Sequence, residues 1–155
     1  MESASQPQSA PVSPVGGVSD SAQMRSEAAA IRRHAGAVAR AATKALGGEL
    51  RPGTMSPEQF ADLLTAGFRD LAETLALALE VDMPELMSDD LSWLARLLAP
   101  RGYDGPAVAL RVYDAFAGAV SAVCPAAAAA AARPVLDAGR QALCDLLAGP
   151  SPAGL

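Results

Sequence analysis

The string Ser56-Pro57-Glu58-Gln59 marks the start of a helix, and it constrains the fold of this chain more than any other feature. A serine before the first helical residue accepts a hydrogen bond from the backbone, and a glutamine three residues later returns one. Proline fits the first helical position, where a backbone N–H has no helical partner. Apolar residues then recur at helical spacing as far as Ala99, so two helices are predicted between Pro57 and Ala99.

The first of these helices is predicted to run from Pro57 to about Val81. One stripe of its surface is predicted to be buried. The stripe comprises Phe60, Leu63, Leu64, Gly67, Leu71, Leu75 and Ala78. A glycine within a helix costs roughly 1 kcal/mol relative to alanine. Gly67 therefore indicates a close approach by a ligand or by another backbone, of which plain helix–helix contact is the simpler explanation.

The next helix is predicted to follow Asp82-Met83-Pro84 and to end at Ala99. Its main apolar stripe is Met87, Leu91, Leu94 and Leu98, and Leu86, Trp93 and Leu97 widen it. So broad an apolar face is typical of a helix that is buried over much of its circumference.

A basic helix is predicted upstream, from about Ala22 to Leu46, with Gly47-Gly48 at its C-terminal end. Its apolar stripe is Met24, Ala28, Ile31, Ala35, Val38, Ala42 and Ala45. Its charged residues are Arg25, Arg32, Arg33, Arg40 and Lys44, opposed only by Glu27. The simplest interpretation is a solvated face. The alternative is a surface that docks on an acidic partner or on the acidic helix that begins at Pro57.

A fourth helix is predicted to begin after Asp104, which can cap it, with Pro106 near its first turn. Its inward positions are Val108, Val112, Ala115, Phe116, Ala119 and Val123. Pro125 is expected to end or kink this helix.

The alanine run 126–132 has high helix propensity and little to anchor it. A last helix is therefore predicted to start at Pro134 and to end before Gly149. Its inward positions are Leu136, Gly139, Leu143 and Leu147.

Every periodic segment has the spacing of a helix, so the predicted fold class is all-α. The apolar fraction is 51% with only 4% aromatic residues, which favours helices packed closely through small side chains. Residues 1–20 are rich in Ser, Pro, Gly and Gln and predict a disordered tail. A single helical domain is expected over 21–149, followed by a frayed C-terminus at 150–155.

The charge balance of 12 basic and 17 acidic residues, net −5, lacks the positive field typical of nucleic-acid binding. No apolar run approaches the roughly 20 residues that span a bilayer, and the N-terminus has no signal-peptide pattern. We therefore expect no nucleic-acid or membrane partner and a cytoplasmic location, in which Cys124 and Cys144 are buried free thiols.

Catalytic and metal chemistry lack a supporting set of residues in the sequence. His34, the single histidine, lies in the basic helix, where a surface or half-buried polar role is a simpler interpretation than a ligand role. The acidic residues Asp82, Glu85, Asp89 and Asp90 do not have the spacing of a calcium loop. No enzymatic activity, no haem and no metal are expected.

An ordered series of residues begins at Arg69-Asp70-Leu71. It continues with Leu75, Leu79, Pro84, Leu86, Trp93-Leu94, Leu97-Leu98 and Arg101-Gly102. The series resembles the phycocyanin-related non-haem globins called photoglobins, over about 60–147. In bacteria, photoglobins are often fused to cobalamin-binding domains. The resemblance implies a globin-like helical fold with a pocket suited to a linear tetrapyrrole.

The resemblance also implies a set of site residues. In phycocyanins a Cys-x-Arg-Asp string attaches the bilin through its cysteine, while the aspartate accepts hydrogen bonds from pyrrole nitrogens and the arginine contacts a propionate. Carried over to this chain, Asp70 would be the pyrrole partner and Arg69 the propionate partner. Gly67 stands in place of the attaching cysteine, so attachment at this site would be non-covalent.

A helical wheel places Asp70 at the edge of the apolar stripe, close to Leu63 and Thr74. A carboxylate there suits donors in a half-dry pocket, although an exposed or ion-paired charge at the core margin is the simpler interpretation. Trp93 would line such a pocket, although tryptophan in a leucine-rich helix more often belongs to the core. Arg69 points away from the stripe, which favours a solvated cation.

Two functions follow from this reasoning. The first is a non-enzymatic sensory or regulatory globin-like domain that binds a linear tetrapyrrole without a covalent bond. The alternative is a ligand-free helical protein–protein interaction module that acts through its basic first helix or as a homodimer. A cobalamin-binding or signalling protein is the partner that the resemblance implies.

Overall fold

The computed structural model describes residues 14–47, 56–98 and 105–148. Within these ranges the chain forms six helices and no strand. They are α1 (Pro14–Arg33), α2 (Ala35–Leu46), α3 (Pro57–Val81), α4 (Glu85–Leu98), α5 (Gly105–Val123) and α6 (Ala126–Leu147). The all-α prediction is confirmed. Buried side chains from all six helices form one hydrophobic core.

The helix predicted over 22–46 is two helices that meet at His34. His34 has φ −100° and ψ 6°, in the bridge region, so the helical geometry is interrupted for one residue. The carbonyl oxygen of Ala30 lies 2.8 Å from Nδ1 of His34. This side-chain contact competes with the regular helical bond. The interruption allows α1 to pack on α6 while α2 packs on α5, with both also against α3.

The start of α1 corrects the predicted tail. The helix begins at Pro14, inside the segment 1–20, and proline is well suited to the first helical position because its fixed φ matches the helix. The rest of that prediction, residues 1–13, lies outside the described residues, as do residues 150–155.

Both ends of α3 are formed as the sequence predicts. Ser56 Oγ accepts a hydrogen bond from the Gln59 backbone N–H at 3.1 Å, and Gln59 Oε1 accepts one from the Ser56 N–H at 3.2 Å. The capping box is therefore confirmed. At the other end, Asp82 takes a left-handed conformation with φ 56°, and this conformation stops the helix after Val81.

The buried face of α3 is rotated from the predicted stripe. Phe60, Leu71, Leu75 and Ala78 are buried as predicted, and Leu64 is partly buried. Leu63 and Gly67 are exposed, so that part of the prediction is wrong. A Cβ at Gly67 would meet no atom within 4 Å, so no backbone approaches it closely. The buried residues that the stripe omitted are Phe68, Ala72, Ala76 and Leu79, because α3 packs against α1, α2, α4 and α6.

An aromatic pair joins the central helices α3 and α5. The rings of Phe68 and Phe116 stack with centroids 6.3 Å apart and an interplanar angle of 4°. Both side chains are buried. Aromatic pairs with such offset geometry are worth about 0.5–1.5 kcal/mol beyond the area that they bury.

In α4, Met87 and Leu91 are buried as predicted and Leu86 is partly buried. The predicted burial of Trp93, Leu94, Leu97 and Leu98 lies outside the described side chains. In α5, Val108, Val112, Phe116 and Ala119 are buried, and Ala115 and Val123 are partly buried. α5 ends before Pro125, as predicted.

α6 begins earlier than predicted. It starts at Ala126 and continues through Pro134, so the prediction of a start at Pro134 is wrong. Ala128 and Ala132 are fully buried and anchor the alanine run on the core. This packing outweighs the cost of about 3 kcal/mol that an internal proline imposes.

Tyr113 on α5 is held between α4 and α6. Its side chain is fully buried, and its hydroxyl donates a hydrogen bond of 2.5 Å to the carbonyl oxygen of Leu136. A Cβ at Gly139 would lie 2.6 Å from that hydroxyl oxygen and 3.0 Å from Cβ of Met87. Glycine is therefore required at this point of α6 for the helices to approach. Burial raises the pKa of the Tyr113 hydroxyl.

Candidate functional site

Three of the predicted site residues share one face of α3. Gly67, Asp70 and Thr74 lie on a straight row of positions three or four residues apart, which places them on one side of a helix. We call this row the exposed α3 face. It comprises Leu63, Gly67, Asp70, Thr74, Leu77 and Val81. Five of the six residues are exposed, and Thr74 is half-buried.

The apolar members of this face are unusually open to solvent. Leu63, Leu77 and Val81 are 53%, 45% and 47% exposed, and Met83, just beyond the end of α3, is 42% exposed. No other large hydrophobic side chain of the described residues is exposed to this degree. Leu77 and Val81 are one helical turn apart, whereas Leu63 lies at the other end of the face, beyond Asp70 and Thr74. Exposed apolar side chains that share one helix face are typical of a surface that binds a partner.

The polar centre of the exposed α3 face includes a residue from α4. Thr74 Oγ1 lies 2.6 Å from Asp90 Oδ2 and 3.1 Å from the carbonyl oxygen of Asp70. One hydroxyl proton serves one acceptor at a time, and the shorter distance favours donation to Asp90. The Asp70 carboxylate is exposed and remains available as an acceptor. The Asp90 carboxylate thus contacts the Thr74 hydroxyl, and the Asp70 side chain lies about one helical turn away on the same face.

Arg69 lies apart from this face. One nitrogen of its guanidinium, Nη2, is 3.5 Å from the position of a Cβ at Gly36, and Nη1 of Arg40 is 3.4 Å from the same point. The structure therefore places Arg69 over the start of α2 and leaves Asp70 on the face toward α4. The two residues of the Arg-Asp string do not converge.

A polar seam runs between α3 and the pair α1–α2. Arg32 donates to Glu73 Oε2 at 3.1 Å and to Glu80 Oε1 at 2.7 Å, and its hydrogen bond lowers the pKa of Glu80. The hydroxyls of Thr43 and Thr65 are 3.0 Å apart. Arg32 therefore docks the basic helix on the acidic helix of the same chain. This docking was one of the interpretations of the basic surface. The other basic residues Arg25, Arg33, Arg40 and Lys44 are exposed.

The other candidate groups are a histidine, two cysteines and a glutamate, and each is buried or half-buried within the fold. His34 is half-buried, with its ring bonded to Ala30. Cys124 is buried and Cys144 is half-exposed, and burial raises the pKa of the Cys124 thiol. Glu27 is buried and accepts a hydrogen bond from the Gln23 side chain.

Sequence reasoning missed three features: the contact of Asp90 with the exposed α3 face, the burial of Glu27, and the convergence of Arg40 and Arg69 near Gly36. Glu27 lies four residues before Ile31, which is about one helical turn. Because Ile31 belongs to the inward stripe, this spacing was a usable signal for the burial of Glu27. The other two depend on contacts between helices, for which the sequence carries no signal.

Within the described ranges no group of three or more His, Cys, Asp or Glu side chains is placed to hold a metal ion. Nor does any helix of the described residues have the length and apolarity needed to cross a membrane. No family model, curated protein or solved structure matches this chain.

Proposed function

We propose that this chain is a non-enzymatic regulatory domain that works by binding a helix of a partner protein on the exposed α3 face. The observation that carries the proposal is the row of exposed apolar side chains Leu63, Leu77 and Val81 around a polar centre. Eighteen residues separate its first and last members, which is about 27 Å along a helix axis. A partner helix of about five turns matches this length.

The charges of the face select a basic partner. Asp70 and Asp90 lie at its centre and Asp82 at its end, and all three are exposed. Lysine or arginine residues beside an apolar stripe would pair with these carboxylates, which sets both register and specificity. An amphipathic helix that carries basic residues is therefore the occupant that we propose.

The same charges oppose a homodimer through this face. In an antiparallel pairing of two copies, Leu63 of one copy would meet Val81 of the other, so the midpoint would fall near Asp70. Asp70 and Asp90 of both copies would then meet at the two-fold axis. Like charges at the centre of an interface are destabilising.

A labelled peptide tests the proposal. The probe is a fluorescein-labelled 18-residue peptide, about five helical turns, with leucines on one face and lysines at their margins. We expect saturable binding by fluorescence anisotropy and at least an about tenfold loss of affinity for Leu77→Asp, because the apolar contact is lost and a charge is added. Ala130→Asp, on an exposed position of α6, is the matched control.

Two results would count against this function. Equal affinity of the wild type, Leu77→Asp and Ala130→Asp would remove the exposed α3 face from binding. Equal binding of a peptide in which every lysine is replaced by glutamate would remove the basic character of the partner.

A linear tetrapyrrole is the second candidate occupant of the same face. Gly67 leaves open space one turn before Asp70, and the exposed Asp70 carboxylate can accept hydrogen bonds from pyrrole N–H groups. Thr74 would be a further contact. Arg69 does not face this side of α3, which leaves the propionate contact without support, and the side chain of Trp93 lies outside the described residues.

Biliverdin titration followed by absorbance tests this second candidate. A charged hydrogen bond contributes about 1.5–3 kcal/mol, so we expect Asp70→Ala to weaken binding by about ten- to hundredfold. The same substitution should change the free energy of unfolding by less than about 0.5 kcal/mol, because the side chain is exposed. Unchanged affinity would remove Asp70 from the site. A large loss of stability would instead identify a structural role.

We further propose a globin-like fold and kinship with photoglobins. The six-helix, all-α architecture supports a globin-like fold in its coarse form, and the Arg69-Asp70 series supports kinship with photoglobins. A cobalamin-binding or signalling protein with a basic amphipathic helix would suit the exposed α3 face, and a cytoplasmic location would suit such a partner. We also propose that the domain binds no haem, because His34 is the single histidine of the chain and lies at the end of α1.

A further inference from the structure

The polar seam between α3 and the pair α1–α2 contains two neighbouring arginines. On one side of these arginines, Arg32 is matched by Glu73 and Glu80. On the other side, Thr43 and Thr65 share a hydrogen bond. Between them, guanidinium nitrogens of Arg40 and Arg69 both lie within 3.5 Å of one point above Gly36. Among the described residues neither arginine has an ion-pair or hydrogen-bond partner.

Two guanidinium groups that converge from different helices, unpaired among the described residues, can be bridged by a small anion. Gly36 is half-buried and carries no side chain, so the point where its Cβ would lie is reached by both guanidinium groups and occupied by neither. On the side of α3 that faces α2, the acidic side chain next to Arg69 is Glu73, one turn away and engaged by Arg32, whereas Asp70 lies on the exposed α3 face. The two arginines come from different helices, so their convergence is set by the packing of α2 on α3.

We propose that Arg40 and Arg69 bind a phosphoryl group above Gly36. Each guanidinium presents parallel N–H donors whose spacing matches two oxygens of a phosphate. Two positive charges also match a phosphate that carries about 1.5–2 negative charges near neutral pH. Binding would place negative charge between two neighbouring cations and would link α2 to α3 through two bidentate ion pairs. This site is separate from the exposed α3 face and does not depend on its function.

The test is a titration of the full ¹⁵N-labelled chain with sodium phosphate at constant ionic strength, held with sodium chloride. We expect saturable shifts of the Gly36 amide and of the Arg40 and Arg69 Nε–H signals. Acetate at the same concentrations should bind more weakly because it has one charge and two oxygens. Absence of saturation, or equal binding of acetate, would overturn the proposal.

Three variants locate the anion. Arg40→Gln and Arg69→Gln should each weaken phosphate binding by about tenfold or more, since each removes a charged donor pair. Arg133→Gln, an exposed arginine of α6, is the matched control and should bind as the wild type does. If the first two variants behave like the control, the proposal fails.

Gly36→Ala separates binding from folding. Its methyl group would lie 3.4 and 3.5 Å from the two guanidinium nitrogens, which is ordinary contact, and alanine is the better helix former. We therefore expect a higher melting temperature together with at least an about tenfold loss of phosphate affinity. Unchanged affinity in this stabilised variant would place the anion elsewhere and overturn the proposal. Repeating the titration with glycerol 3-phosphate identifies the class of ligand. Tighter binding of glycerol 3-phosphate than of inorganic phosphate indicates a phosphate ester, whereas equal affinities indicate free phosphate.

Discussion

Gly139 and Gly118 are both helical glycines, but they differ in what a methyl group would meet. A Cβ at Gly139 would lie 2.6 Å from the Tyr113 hydroxyl oxygen, whereas a Cβ at Gly118 would meet no atom within 4 Å. Gly139→Ala should therefore lower the free energy of unfolding by about 1–3 kcal/mol, because the buried tyrosine must move. Gly118→Ala should raise it by about 0.5–1 kcal/mol through helix propensity. Urea denaturation measures both.

A double variant identifies the cause at Gly139. Tyr113→Phe removes the hydroxyl, at a cost of about 1 kcal/mol for the lost bond to Leu136, and makes room for the methyl group. Gly139→Ala should then cost less in the Tyr113→Phe background than in the wild type. Equal costs in both backgrounds would show that the hydroxyl is not the obstacle.

The inward position of Gly139 was predictable from the apolar stripe of its own helix. The identity of its neighbour was not, because Tyr113 belongs to α5 and the spacing within one helix does not specify which residue of another helix lies opposite. The same limit applies at the candidate site. The helical wheel placed Asp70 beside Leu63 and Thr74, and these residues do share the exposed α3 face, but the wheel carried no signal for the contact of Thr74 with α4.

At the scale of elements, α6 continues through an internal proline. Pro134 is exposed and cannot donate the helical hydrogen bond to Ala130. Pro134→Ala restores that donor and should raise the free energy of unfolding by about 1–3 kcal/mol, since a proline in a helix interior costs about 3 kcal/mol and recovers part of that in the unfolded chain.

The control for Pro134 is the proline between α5 and α6. Pro125→Ala restores no interior helical bond, because Pro125 precedes the first residue of α6, and it should give no gain. A decrease in the melting temperature of Pro134→Ala would show that the proline ring itself contributes to packing.

Two of the element boundaries that the sequence predicted wrongly, at Pro134 and at His34, have one cause. At Pro134 a strong local signal for a helix start is overruled by the burial of Ala128 and Ala132 on the core. At His34 a continuous helical pattern is interrupted because α1 and α2 pack on different neighbours. Where local and tertiary preferences agree, as at the capping box of Ser56, the boundary was predicted correctly.

At the scale of the whole molecule, the stacked pair Phe68–Phe116 links α3 to α5 through the core. Truncation of either ring to alanine should cost about 3–5 kcal/mol, a large part of the roughly 5–15 kcal/mol that typically stabilises a domain. Leu77→Ala, on the exposed α3 face, should cost less than about 1 kcal/mol. A double-mutant cycle by urea denaturation should give a coupling of about 0.5–1.5 kcal/mol for the rings. Additive costs would show that the rings stabilise their helices independently.

The all-α class was predictable because every apolar segment has a helical period, whereas the packing partners of each helix were not. Helical spacing shows that a face is buried but not against what. For that reason the predicted α3 stripe was centred too far toward Leu63, a residue that no neighbouring helix covers.

The unequal burial of the two cysteines makes their alkylation rates a measure of local opening. An alkylating reagent reaches the half-exposed Cys144 directly, whereas Cys124, buried at the joint between α5 and α6 with a raised thiol pKa, reacts only when that joint opens. When closing is faster than alkylation, the rate at Cys124 divided by the rate of the same thiol in the unfolded chain gives the equilibrium for local opening. A time course of intact masses therefore measures the opening of one helix junction, with Cys144, whose sulfur lies 3.8 Å from Arg140 Nη1, as the faster-reacting thiol.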